Sequence, residues 1–136
     1  MKNNVFVITC KEDANVEIKH VMIPDSVTSI GASAFADCKS LKDIIIPDSV
    51  TSIGNRAFDG CANLRTITIP DSVTSIGDYA FYKCRTLESV TIPDSVTIIG
   101  DCAFYGCKNL TSISIPDSVT SIGDSAFPYK CEVIRI

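Results

Sequence analysis

Seven cysteines, one histidine and sixteen carboxylates are the residues of this 136-residue chain with the most chemistry to offer. Their spacing decides how much of it is usable. His20 has no Cys/His or Ser/His/Asp companion at a spacing that would build a nucleophile and its base, and no G-x-S-x-G, phosphate-loop or metal-pair motif occurs. The chain is therefore read as non-enzymatic, with no catalytic residue, cofactor or metal. Cys38, Cys61, Cys84 and Cys107 recur once per 23 residues and not in the C-x-x-C pairs of a zinc site. Since a free cysteine packs as a small hydrophobe, these four are expected to be buried, reduced thiols. Cys102 replaces Ser33, Arg56, Tyr79 and Ser125 of the other copies and is expected to be the exposed thiol, while Cys10 lies outside the pattern. Asp25, Asp48, Asp71, Asp94 and Asp117 each follow a proline, which suits a corner whose carboxylate bonds nearby backbone N–H groups better than a row of calcium ligands. Thr28, Thr51, Thr74, Thr97 and Thr120 form a column within V-T-S-I, suiting a solvated strand face more than the T-x-T of an ice-binding surface.

The elements that position these residues follow from one repeated phrase. IPDSVTSIG stands at 23–31, 46–54, 69–77 and 115–123, with IPDSVTIIG at 92–100, and Ala-Phe and Leu columns keep the same 23-residue period. A strict period of this size means a repeat solenoid in which each copy is one coil. Within a coil, Leu64 to Pro70 alternates Ile67 and Ile69 with Thr66 and Thr68, the pattern of a half-buried strand that proline then ends. Val73 and Ile76 form a second apolar pair. Gly77 is expected to supply a positive φ, and Ala80, Phe81 and Cys84 to point inward from an irregular or helical turn. One coil cannot bury this set, but stacked coils place identical residues in columns ~4.8 Å apart.

The composition is consistent with this. With 46% hydrophobic residues the chain can bury a core, and a net charge of −4 with both signs scattered is a poor footprint for nucleic acid or anionic lipid. No apolar run approaches the ~20 residues of a membrane span, so no membrane insertion is expected. Val5 to Cys10 is shorter than the ~7–15 residues of a secretory core, so no export signal is read. The chain divides into an N-terminal partial or capping coil (1–22), five repeats (23–127) and a truncated last strand (128–136). Val5 to Thr9 would be an extra strand lidding the first coil. At the other end, Ile134 and Ile136 would take the isoleucine columns, and the edge formed by Val133, Arg135 and Ile136 would be open to self-association as a homodimer.

The phrase C-x-x-L-x-x-I-x-I-P, followed by D-S-V-T-S-I-G-x-x-A-F-x-x-C, resembles the BspA-type (Treponema pallidum type) leucine-rich repeat over roughly residues 16–136. The resemblance implies a right-handed leucine-rich-repeat coil stack, with short parallel β-strands on a concave face and an irregular, short-strand or short-helical convex side. It also implies protein binding, since many relatives are surface or secreted proteins and some are adhesins for extracellular-matrix proteins. The outward strand positions change most between copies while core positions barely change, as expected of a binding surface on a constant frame. Lys19, His20, Met22, Lys42, Ile45, Arg65, Thr68 and Glu88 are the candidate partner-binding residues, with Met22 and Ile45 rimmed by Lys19, Lys42 and Arg65 as the anchor.

Overall fold

A computed structural model describes residues 17–136 and the backbone pairing of Val5–Phe6; the remaining positions of 1–16, Cys10 and the rest of the expected lid strand among them, lie outside the described residues. Twelve short strands follow in order: β1 (Val5–Phe6), β2 (His20–Met22), β3 (Ser29–Ile30), β4 (Asp43–Ile45), β5 (Ser52–Ile53), β6 (Thr66–Thr68), β7 (Ser75–Ile76), β8 (Ser89–Thr91), β9 (Ile98–Ile99), β10 (Ser112–Ile115), β11 (Ser121–Ile122) and β12 (Glu132–Arg135). Every pairing is parallel. The Ser-Ile strands join in one continuous six-stranded sheet, β1-β3-β5-β7-β9-β11, so Val5–Phe6 pairs with β3 and extends that sheet. The longer strands form the second layer as three parallel pairs, β2-β4, β6-β8 and β10-β12. The expected solenoid of parallel strands with a 23-residue period is thus present, without helices among the described residues.

Alternation explains the strands. In β2, β4, β6 and β8 the middle residue is buried and its neighbours are exposed, so Val21, Ile44, Ile67 and Val90 enter the core while the flanking side chains form an outer face. Proline ends each strand, and the corner closes through a backbone bond from valine to proline, for example Val73 N–H to Pro70 O at 3.1 Å. The expected carboxylate bonds are not what closes it: the five corner aspartates are exposed, because the backbone bond already satisfies the turn. The segment after the second strand is a series of tight turns. Every second N–H reaches the next coil, as Tyr79 to Asp101, Phe81 to Ala103 and Lys83 to Tyr105, and the N–H groups between them fold back three residues.

The core is a set of ladders. Phe35, Phe58, Phe81 and Phe104 stack with ring centroids 5.1–5.2 Å apart and nearly parallel planes, and Phe127 continues the stack at 6.2 Å. Valine, isoleucine, leucine, alanine and cysteine columns are buried beside them. Stacking of this kind adds about 0.5–1.5 kcal/mol per aromatic pair beyond area burial.

Gly77 does not adopt the positive φ expected of it. Left-handed residues occur instead two positions later, at Ser33, Arg56, Tyr79, Cys102 and Ser125, and again before the cysteine column at Asp37, Gly60, Lys83 and Gly106. The glycine column is required for a different reason. A Cβ on Gly77 would lie 2.6 Å from the backbone nitrogen of Asn55 and 2.7 Å from the carbonyl carbon of Gly54 in the preceding coil, and Gly54, Gly100 and Gly123 are equally confined. Backbone meets backbone there, and no side chain fits.

Gly77→Ala should therefore lower unfolding free energy by about 3 kcal/mol, at the upper end for overpacking, since the obstructing atoms are backbone. Lys83→Gly, which relieves a non-glycine residue at φ 57°, should raise it by about 0.5–1 kcal/mol. Urea denaturation of both variants measures this; a Gly77→Ala protein as stable as its parent would show that the coils can separate there.

Candidate functional site

The outer face of the long strands is set by register. His20 lies opposite Asp43 and Met22 opposite Ile45 across β2 and β4, while Thr68 lies opposite Thr91 across β6 and β8. Each outward position thus becomes a row running along the solenoid: Lys19, Lys42, Arg65, Glu88 and Thr111 in one, Met22, Ile45, Thr68, Thr91 and Ser114 in another. All of these side chains are exposed. Met22 and Ile45, at 74% and 58% exposure, form an apolar ledge that a core of this quality would otherwise bury. A depression bounded by Pro24, Pro47 and the acidic corners Asp25 and Asp48 adjoins the ledge.

Two of the expected contact residues are engaged by neighbours within the chain. His20 Nδ1 lies 2.7 Å from Asp43 Oδ2, and Arg65 donates to Glu88 Oε1 at 2.9 Å. The hydrogen bond to Glu88 holds the Arg65 proton more firmly than usual. Lys19 is 3.6 Å from Glu17, whereas Lys42 has no ion-pair partner among the described residues. Such exposed pairs contribute about 0–1 kcal/mol each, so they orient side chains more than they stabilise the fold. The structure groups Met22 with Ile45 on the ledge and places Lys42 with Arg65 and Glu88 in a polar depression that also includes Asn63, Thr86 and Asn109. Asn63 and Asn109 were missed in the sequence; their place immediately before the leucine column, beside the strand, is the signal that could have found them.

The threonine hydroxyls are committed to the frame. Thr51, Thr74 and Thr97 each donate from Oγ1 to the threonine carbonyl of the preceding coil at 3.2–3.3 Å. A second polar ladder went unrecognised in the sequence: the N–H groups of Asp78, Asp101 and Asp124 donate to Asn55, Asp78 and Asp101 Oδ1 at 2.8–2.9 Å. Asn or Asp directly after Gly54, Gly77, Gly100 and Gly123 was its only trace. No group of three or more His, Cys, Asp or Glu close enough to hold a metal occurs among the described residues, and no helix there is long and apolar enough to cross a membrane.

Of the cysteine column, Cys61, Cys84 and Cys107 are buried and free, each thiol donating to a phenylalanine carbonyl 26 residues earlier at 3.1 Å. Cys38 corrects the expectation of four reduced thiols, for it is disulfide-bonded. It is the first of its column, and position 12, where the carbonyl acceptor would stand, precedes the phenylalanine column altogether. Cys102 is half-buried and not the freely exposed thiol expected, because it sits beside Tyr79, whose phenol it pushes up through a hydrogen bond. Burial raises the Cys61 thiol to about 12. Hydrogen bonding with Cys107, then burial, raises Cys84 well above the usual thiol range.

At the C-terminal end β12 pairs with β10, but Val133, not Ile134, stands opposite Ile113, and Arg135, not Ile136, stands opposite Ile115. The coil between them takes a twenty-residue step, so the expected alignment is displaced by one residue. Arg135 consequently occupies an isoleucine column, and its guanidinium turns over the end to donate to Pro116 O at 3.2 Å and Val119 O at 3.0 Å. Val133 and Ile136 remain exposed at 43% and 67%.

The description "BspA type leucine rich repeat region" matches residues 10–135 in six copies. Among solved structures, the T. pallidum leucine-rich repeat protein TpLRR superposes with a TM-score of 0.80 at 36% identity, over 84% of this chain and 56% of that one. A leucine-rich cell surface protein from Faecalibacterium prausnitzii A2-165 gives 0.60 at 34% identity, over 88% and 41%. The pneumococcal vaccine antigen PcpA gives 0.78 at 28% identity, over 94% and 33%. The chain thus spans about a third to just over half the length of these three proteins. No curated protein matches it.

The thiols make alkaline stability a readout of the column. Because Cys61 in the folded chain holds a proton that an unfolded thiol would release above its ordinary 9.0, its contribution is complete below pH 9 and declines as pH rises toward about 12. Between these limits Cys61→Ala should flatten the fall of stability with pH by about 1.4 kcal/mol per pH unit. Denaturant titrations at several alkaline pH values measure the slope, and an unchanged slope would remove Cys61 from the effect.

Proposed function

As the chain belongs to the BspA-type leucine-rich repeat family, we propose that it is a non-enzymatic protein-interaction module that engages its partner through the outer face of the long strands. The observation that carries this reading is the exposed Met22–Ile45 ledge, held in register by β2 and β4. The ledge provides an apolar anchor and Asp25 and Asp48 an acidic rim, while Lys42, without an ion pair among the described residues, supplies a cation from the neighbouring depression that holds Arg65 and Glu88. A central apolar contact surrounded by charge is the arrangement that concentrates binding energy in protein interfaces. The partner class that fits is a protein presenting an apolar side chain among mixed charges, in an adhesin-like setting such as a host or extracellular-matrix protein. Support for a surface setting comes from the F. prausnitzii relative, which is named as a cell surface protein. Thr68 and the Arg65–Glu88 pair extend the contact, and His20 contributes through its pairing with Asp43.

A second reading rests on β12. Among the described residues it pairs only with β10, and it presents Val133 and Ile136 to solvent, which favours strand addition by a second copy. Arg135 would act there as a brace, since its guanidinium is already bonded to the corner.

A panel of matrix and cell-surface proteins probed with the parent and a Met22→Ser/Lys42→Glu/Ile45→Ser variant separates these readings. Selective binding weakened at least tenfold in the variant, with unchanged unfolding, is expected; each ten is worth about 1.4 kcal/mol. Parent-like binding by the variant would remove the strand face from the interface. Light scattering across a concentration series under reducing conditions tests the second reading, which a strict monomer would end.

A further inference from the structure

The turn side of the solenoid carries a second aromatic ladder outside the phenylalanine core. Arg56 lies over the Tyr79 ring at 4.3 Å, Tyr79 meets Tyr82 edge-on at 5.0 Å, and Tyr82 stacks on Tyr105 at 6.0 Å with planes 13° apart. The ladder stops at Tyr105. One period later, position 128 is proline, and the neighbouring Tyr129 projects into solvent at 92% exposure instead of stacking.

The coil that follows is also short. Elsewhere the strands repeat at 23 residues, as Thr66 opposite Ser89, but Val133 comes opposite Ile113 after only 20. The Cys-x-x-Leu turn survives as Pro128 to Cys131, with Cys131 N–H donating to Pro128 O at 3.1 Å as Leu110 N–H donates to Cys107 O at 3.0 Å, so the shortening falls in the residues that flank it. Beside this turn is a cavity of about 370 Å³, within the ~300–1,000 Å³ of small-molecule sites. Tyr105, Leu110 and Thr111 line it from the preceding coil, and Pro128, Tyr129 and Cys131 from the short one. Lys108 and Lys130 also line it, both exposed and neither in an ion pair among the described residues, in a chain whose net charge is −4.

We propose that this cavity binds a planar aromatic ring bearing a carboxylate, the ring lying on Tyr105 where the next member of the tyrosine ladder is missing and the carboxylate lying between Lys108 and Lys130. Tyr105 is 44% exposed, so the stack ends on an accessible ring. Aromatic rings favour offset stacking at 4.5–7 Å between centroids, a range that the 6.0 Å step from Tyr82 to Tyr105 already uses. The lysines select charge, and the Thr111 hydroxyl offers a hydrogen bond. Cys131, whose thiol is kept protonated by burial, adds no competing negative charge. This site is separate from the strand face and does not depend on the protein-binding reading. The same chemistry could be delivered by a free aromatic acid or by a peptide whose C-terminal residue is tyrosine.

Calorimetric titration of the whole chain with 4-hydroxyphenylacetate, and with a short peptide ending in tyrosine, tests the proposal. Saturable one-to-one binding of at least one probe is expected, and which of them binds identifies the source. Tyr105→Ala should weaken it at least tenfold, and Thr111→Trp, which fills the cavity from another side, should do the same. Lys108→Gln/Lys130→Gln should weaken it about fivefold and remove its salt dependence, as expected of exposed charges. The neutral analogue 4-cresol should bind more weakly than the acid. Circular dichroism on each variant confirms that the fold is retained. Absence of saturable binding by both probes, parent-like affinity in both Tyr105→Ala and Thr111→Trp, or equal affinity for 4-cresol would each overturn the proposal.

Discussion

The structure depends on how closely one coil's backbone lies against the next. At the glycine column the approach is so tight that a single added carbon would overlap the preceding backbone. That approach lets Gly77 N–H reach Ile53 O at 2.9 Å and Thr74 N–H reach Thr51 O at 2.8 Å. Once it is fixed in each coil, every other position has a neighbour of its own kind one period away. An insertion of one residue within a strand would move the side chains beyond it in that strand to the opposite face. The 23-residue period is the consequence, and the parallel phenylalanine rings are its most regular expression.

Most polar side chains in the columns serve the same constraint. Threonine hydroxyls, buried thiols and the Asn–Asp ladder all bond along the solenoid axis to the neighbouring coil. Hydrogen bonds of this kind contribute about 0.5–1.5 kcal/mol net. The columns are thus occupied with holding the stack, and they are poor places for a variable ligand. The outward residues of the long strands are free of this duty, since their backbone groups pair whatever the side chain. Recognition is left to that face because its chemistry can change without disturbing the frame.

The chain's departures from its own pattern occur where a column has no regular neighbour. Cys38 begins the cysteine column and forms a disulfide where its successors donate to phenylalanine carbonyls. Arg135 takes an isoleucine position and caps the corner carbonyls of Pro116 and Val119. The short coil before β12 interrupts the tyrosine column, and a cavity lies beside Tyr105, lined on its other side by Pro128, Tyr129 and Cys131 of that coil.

Several features were legible in the residues alone. The repeated phrase determined the period, the strands, the core columns and the candidate face, because a short-range alternation copied five times leaves few other ways to bury its apolar half. Met22 and Ile45 could be placed side by side from that period before any coordinates. Other features depended on distances between coils. Gly77 looked like a turn residue, since glycine serves left-handed backbone and close approach equally well, and only the stacked coils show which is needed. The pairing of Arg65 with Glu88 follows from side-chain reach across the register. The alignment of β12 was one residue out, because a shortened coil has no second copy to fix its path. Periodicity determines what repeats; where the repeat fails, three-dimensional packing alone decides which atoms meet.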